Sequence, residues 1–343
     1  MSSDTTVTDP ALVVTSAGDG PAWRVLLRWE SGLVLVLIAS IIFGTVESPH
    51  FLTSTDIFFI SLNVGEIAIM ALPLTLIVMT GEIDLSVASM LGLSSTLLGY
   101  FFKHGWPIGL AILGVLVVGA LGGALNGLLV TKLGLPSIAV TIGTLTLFRG
   151  VAEVVLGTQS VDGYPAWLTK IGVTPIPHTK LAYSMGVFLV MAVGFGVVLH
   201  ATPVGRSITA IGLQSEAARF SGIRVNRIKF NLYVLSGVIC ALAGVLWTMR
   251  FATSRYDAGT GLELTVVAAV LLGGVSIFGG RGTIFGVVIA ILVIGCLQTA
   301  LTQIHVDAQE QNIVTGGLLL VSVIVPNGAE ALRRIRARAS RRR

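Results

Sequence analysis

The chain has 343 residues, 54% of them hydrophobic and only 11% charged, with a mean hydropathy of +0.90. Soluble domains carry about a quarter charged residues, so this composition excludes an ordinary water-soluble fold and calls for lipid as the solvent. The net charge of +5 arrives without a folded basic domain, which argues against a nucleic-acid partner.

Residues 1–30 are polar, with Pro10, Gly18, Gly20 and Pro21, and predict a flexible cytoplasmic N-terminal segment. Arg24 and Arg28 then precede an apolar run from Leu33 to Val46, the pattern of a signal peptide as well as of a first membrane helix. Glu47-Ser48-Pro49 offers no small-residue cleavage site, so an uncleaved helix is the better reading. Apolar stretches recur at about 31–47, 57–80, 85–102, 107–130, 137–157, 181–200, 230–250, 262–278, 283–302 and 312–326. The expectation is an all-α, polytopic membrane helix bundle of about ten transmembrane helices over 31–326, with a cytoplasmic loop at 202–229 and a basic cytoplasmic tail at 327–343.

Charge asymmetry gives the bundle an orientation. With both termini inside, sixteen Lys and Arg fall on the cytoplasmic side, five of them in the 202–229 loop and seven in the tail. Only Lys103, Lys170, Lys180, Arg250 and Arg255 fall opposite. That bias satisfies the positive-inside rule, and the tail faces anionic membrane lipid. The halves also echo each other: Asp84-Leu85-Ser86-Val87 resembles Glu263-Leu264-Thr265-Val266, and Leu125-Asn126 resembles Leu297-Gln298. Five spans in each half would make the repeat inverted, as in alternating-access transporters.

Several chemistries are absent. No Gly-Lys dipeptide occurs, so there is no P-loop. The five histidines are scattered without metal-ligand spacing, and Cys240 and Cys296 lie inside apolar runs as small packing residues. Neither a metal site nor a catalytic residue set follows.

Four groups of residues carry the functional reading. Ser215 to Gly222 reads as a helix of about six residues, with Ser215 as N-cap, Glu216 at the positive end, Arg219 at the negative end and Gly222 as the left-handed stop. So short a helix needs a surface to hold it. Ala217, Ala218, Phe220 and Ile223 suit a partner's groove, or equally the chain's own membrane domain. Gly119, Gly123 and Gly127 share one helix face and admit another helix closely. Asn63, Glu66, Asn126 and Gln298 are polar groups in apolar runs and candidates for a translocation pathway. Arg149 and Glu153, four apart, are expected to pair, and Asp84 and Glu263 to stabilise helix N-termini.

Three ordered motifs carry a resemblance over about residues 57–326. Ala210, Gly212, Ala217, Ala218, Arg219, Ser221, Gly222 and Ile223, followed by Val225, Arg227 and Lys229, resemble the coupling segment of ABC importer permeases of the ribose, xylose, rhamnose and autoinducer-2 type. Gln214 replaces the usual Asn. Gly81-Glu82-Ile83-Asp84-Leu85-Ser86-Val87-Ala88-Ser89 resembles the family's G-G-I-D-L-S-V-G-S, with Glu82 and Ala88 standing where glycine is usual. Leu272-Gly273-Gly274-Val275-Ser276 with Gly279-Gly280-Arg281-Gly282 resembles its L-G-G-x-S-x-x-G-G-x-G run. The resemblance implies a permease subunit, not an enzyme, paired with a second permease subunit that is identical or related. A separate ABC ATPase carrying ATP and Mg would dock on Glu216, Ala217, Ala218, Arg219, Phe220 and Gly222, and a periplasmic sugar-binding protein would deliver the solute. An ion-driven secondary transporter is the alternative; it would account for the intramembrane charges but not for the capped helix.

Overall fold

The computed structural model describes residues 29–48 and 51–307, then 310, 311, 313, 314, 316–318, 320 and 324. The polar lead up to residue 28, most of the expected tenth span and the arginine tail lie outside the described residues. Twelve helices follow in order among the described residues: α1 (Trp29–Glu47), α2 (Ser54–Met79), α3 (Val87–Lys103), α4 (Ile108–Thr131), α5 (Ser137–Leu156), α6 (Ala166–Val173), α7 (Tyr183–Ala201), α8 (Pro203–Leu213), α9 (Ser215–Phe220), α10 (Val225–Phe251), α11 (Leu262–Leu272) and α12 (Ile284–Gln303). There is no strand among them, only two isolated bridges.

Seven of these helices, α1, α2, α4, α5, α7, α10 and α12, are long and apolar enough to cross a membrane. The sequence count was about ten. The stretches expected at 85–102 and 262–278 form helices of 17 and 11 residues, entered through extended or looped chain. At 1.5 Å per residue, α11 reaches about 16 Å, roughly half the hydrocarbon thickness. The remaining residues of that stretch turn at Gly273 and Gly274 into the 273–283 loop.

The bundle is organised around α2 and α10. α2 begins with a capping box in which the Asp56 amide donates to Thr53 Oγ1 and the Thr53 amide to Asp56 Oδ2. From Ile60 to Met79 every residue but Asn63 is buried. α10 packs against α2, α3, α4 and α6, while α12 packs against α1 and α2. Glycines set the closest approach: a Cβ on Gly119 would lie 2.5 Å from the Gly237 carbonyl oxygen, one on Gly123 would collide with the Tyr233 carbonyl, and one on Gly127 would lie 2.9 Å from Phe230. The glycine face of α4 therefore lies directly on α10, backbone to backbone.

Two ends of the bundle are defined by contacts. At one, Trp29 Nε1 donates to the Leu272 carbonyl, the Gly280 amide to the Met79 carbonyl, and Asn226 to the Thr131 carbonyl. At the other, Val161 and Ser254 exchange backbone hydrogen bonds, Lys103 meets Gln159, and Gln303 meets Asp56.

Candidate functional site

The 202–229 loop folds as a broken helix. α8 starts at Pro203 with Thr202 as N-cap and ends at Gln214, whose extended backbone (φ −161°, ψ 102°) closes α8 and opens α9. The Gln214 amide still donates to Ala210, and its carbonyl accepts from Ala218. This corrects the sequence expectation of Ser215 as the cap: the chain bends one residue earlier, so Ser215 is already helical.

α9 is six residues long and ends in a Schellman motif. The Gly222 amide donates to the Arg219 carbonyl and the Ile223 amide to that of Ala218, with Gly222 at φ +82°. The motif tucks the Ala218 side inward. Ala218 is 4% exposed and packs with Ile211 and Val225, with Ile223 against them. Ala218 therefore seats the helix on its own chain, the alternative that the sequence left open beside a partner's groove. Phe220 faces the other way and is 89% exposed. Ala217, Glu216 and Arg219 are also exposed, the last two 3.8 Å apart.

Beneath the last turn of α8, just before α9, the chain has almost no side-chain volume. A Cβ on Gly212 would collide with the Met79 carbonyl and the Gly280 amide, and one on Gly279 would lie 2.9 Å from Gly212 Cα and from the Gly81 amide nitrogen. The broken helix is thus pressed onto the end of α2 and onto the 273–283 loop. That loop carries Phe278, 76% exposed, and Leu213 (66% exposed) lies against Gly280. Phe220, Leu213 and Phe278 add bulky exposed apolar surface at one end of the bundle, where Leu133 and Leu135 of the turn after α4 are exposed as well. Phe278 and Leu213 were not picked out from sequence; for Phe278, its place before a glycine pair was the available signal.

The four pathway candidates separate. Asn63 and Glu66 come together with Arg250, from the last turn of α10: its guanidinium lies 2.6 Å from Asn63 Oδ1, 3.2 Å from Glu66 Oε2 and 2.7 Å from the Leu62 carbonyl. Glu66 is 1% exposed, and its Oε1 has no partner. Asn126 belongs to a second cluster, donating to Ser86 Oγ, which donates to Asp84 Oδ1. Ser236 of α10 donates to Asp84 Oδ2. Asp84 also accepts from the Ser86 amide just before α3, and Glu263 lies in the first turn of α11, so both acidic groups stand at helix N-termini. Gln298 is half-buried on α12, apart from both clusters.

The expected Arg149–Glu153 pair does not form. Arg149 instead donates to the carbonyls of Tyr256 and Ala258, and Glu153 is exposed. Two fixed carbonyls of the 252–261 loop satisfy the guanidinium, which a pairing with the exposed Glu153 would not draw into the bundle. A further pair not foreseen joins Lys229 of α10 to Glu82, 2.5 Å apart and largely buried.

Comparison with known proteins identifies the family. Residues 56–323 match the family described as branched-chain amino acid transport system / permease component. The autoinducer 2 import system permease protein LsrD of Escherichia coli K12 is 35% identical over 310 residues, covering 88% of this chain and 92% of that protein. The proteins of the same name from Shigella flexneri and Escherichia coli O157:H7 match at the same identity and coverage. No solved structure matches the chain. With a family model spanning most of its length and relatives covered almost end to end, the chain belongs to this family of ABC importer permeases, as a multi-pass membrane protein.

Proposed function

We propose that the protein is the membrane permease of an ATP-driven importer for a small sugar or an autoinducer-2-like solute, with its termini and α9 on the cytoplasmic side. The carrying observation is α9 itself: a rigidly terminated helix, anchored to its own chain by Ala218 and presenting Phe220 outward over a glycine-lined joint to α2 and the 273–283 loop. A separate ATPase, which holds the ATP and Mg, docks on Phe220 and the exposed Glu216, Ala217 and Arg219. Closure of that ATPase is transmitted through Gly212 and Gly280 to α2 and α12. A periplasmic binding protein supplies the solute from the opposite end, and a second permease subunit completes the pathway. The solute class is carried over from the LsrD relatives and from the ribose, xylose and rhamnose permeases that the motifs resemble.

An inverted repeat fits the same scheme. α2, α3 and α4 begin at 54, 87 and 108, and α10, α11 and α12 at 225, 262 and 284, offsets of 171, 175 and 176 residues. In each set a long buried helix is followed by a short one and then a long one, and α2 runs towards the α9 end while α10 runs away from it.

The test is affinity capture of tagged protein from its native membranes in mild detergent, with mass spectrometry of what accompanies it. An ATPase chain captured with wild type and lost with Phe220→Asp is the expected result. Intact capture with no ATPase, together with uptake that collapses with the proton gradient while ATP stays high, would point to a gradient-driven transporter instead.

A further inference from the structure

The end of the bundle opposite α9 holds a cavity of about 300 Å³ between the last turn of α10 and the loop that follows, lined by Trp247, Phe251, Thr253, Arg255, Asp257 and Ala258. Nothing in the coupling geometry explains it. Three features distinguish it from a surface dent.

The first is rigidity. Residues 254–258 are fastened from several elements at once. Ser254 exchanges backbone hydrogen bonds with Val161, and its hydroxyl lies 2.6 Å from Tyr164 Oη. Thr96 of α3 donates to the Arg255 carbonyl, and Arg149 of α5 to those of Tyr256 and Ala258, at 3.1 and 2.6 Å. A short loop with four backbone positions held by three other parts of the chain is preorganised, and its side chains project from a fixed frame.

The second is what those side chains offer. Arg255 and Asp257 face each other in a bidentate pair, Nε to Oδ1 at 2.9 Å and Nη2 to Oδ2 at 2.8 Å, with both groups partly open to solvent. A carboxylate has about four lone-pair sites and a guanidinium five N–H donors, so each keeps capacity for further hydrogen bonds. Thr253 Oγ1 is buried and has no partner. Trp247 and Phe251 add an aromatic wall, ring centres 4.5 Å apart.

The third is charge and size. The two formal charges at the cavity cancel, so the site does not select an ion. Its volume is at the lower limit of the roughly 300–1,000 Å³ usual for small-molecule pockets. Paired donor and acceptor planes beside an aromatic wall match a molecule with several hydroxyls on one edge and C–H bonds on its face.

We propose that this cavity is a reception site for one neutral, polyhydroxylated monosaccharide-sized solute, with Arg255, Asp257 and Thr253 binding hydroxyls and Trp247 and Phe251 covering the apolar face. The proposal deepens the importer reading and rests on it for the solute class alone. The site binds weakly, as a receiving surface must if the solute is to move on.

Full-length permease in lipid nanodiscs, without ATPase or binding protein, is titrated separately with D-ribose, L-rhamnose and autoinducer-2, and tryptophan fluorescence is followed. At least one should give a saturable change in the millimolar range, absent in Trp247→Phe and shifted tenfold or more to higher concentration in Asp257→Asn. No saturable change with any of the three, or an equal response from Trp247→Phe, overturns the proposal. Because no ATPase is present, failure here leaves the Phe220 capture result untouched, and failure there leaves this titration readable.

Discussion

At the scale of single residues, burial decides what each polar or small side chain can do. Glu66 was marked by its place in an apolar run, but its partner is Arg250, 184 positions away, which sequence placed among the charges outside the spans. Arg250→Ala leaves a carboxylate buried without its cation, a loss of about 3–5 kcal/mol by the usual measure of broken buried pairs. The expected readout is sharply reduced yield and a lower midpoint in a size-exclusion thermal-shift assay. Glu66→Gln keeps an oxygen for the guanidinium and should lose less than half as much yield. Gly123 gives a steric version of the same argument. A Leu there meets the Tyr233 backbone rather than a movable side chain, so Gly123→Leu should abolish monodisperse protein in detergent. Normal yield and mobility would mean that α4 and α10 do not pack as described.

Among the elements, α9 carries the main revision. Its length and its glycine stop were legible because capping chemistry is local: a terminal helix amide or carbonyl finds its partner within a few residues. Which face points outward was not legible, since that depends on Ile211 and Val225, which the fold brings beneath Ala218. Ala218→Glu should therefore unseat α9 altogether, with faster proteolysis of the 202–229 loop as well as loss of transport. Phe220→Asp should lose the ATPase while the loop stays protected; limited trypsinolysis of the two variants separates them. The joint under the end of α8 gives a third outcome. Gly212→Val must push α8 away from Met79 and Gly280, so ATP hydrolysis by the assembled complex should persist while solute uptake per ATP falls tenfold or more. Unchanged uptake per ATP would show that force does not pass through this contact.

For the whole molecule, the prediction concerns sidedness. Phe220→Cys should react with a membrane-impermeant maleimide only from the cytoplasmic side, and Trp106→Cys, in the exposed turn after α3, only from outside. Native Cys240 and Cys296 are buried and should stay unlabelled in intact membranes. Labelling of both introduced cysteines from the same side would defeat the arrangement of the two ends. By itself, the sequence determined the membrane environment, the long spans and the three motifs, because hydropathy, loop charge and capping act over a few residues to a few turns. It also named the glycine face of α4, since a repeat of four puts small residues in one line on any helix. The tertiary structure alone decided the pairing of Glu66 with Arg250 and of Lys229 with Glu82, the inward turn of Ala218, and the holding of residues 254–258 by Arg149, Thr96 and Val161. These contacts join residues from 93 to 184 positions apart along the chain or depend on which face a neighbour covers. Composition and periodicity constrain neither, because a buried charge takes whichever partner packing brings within reach.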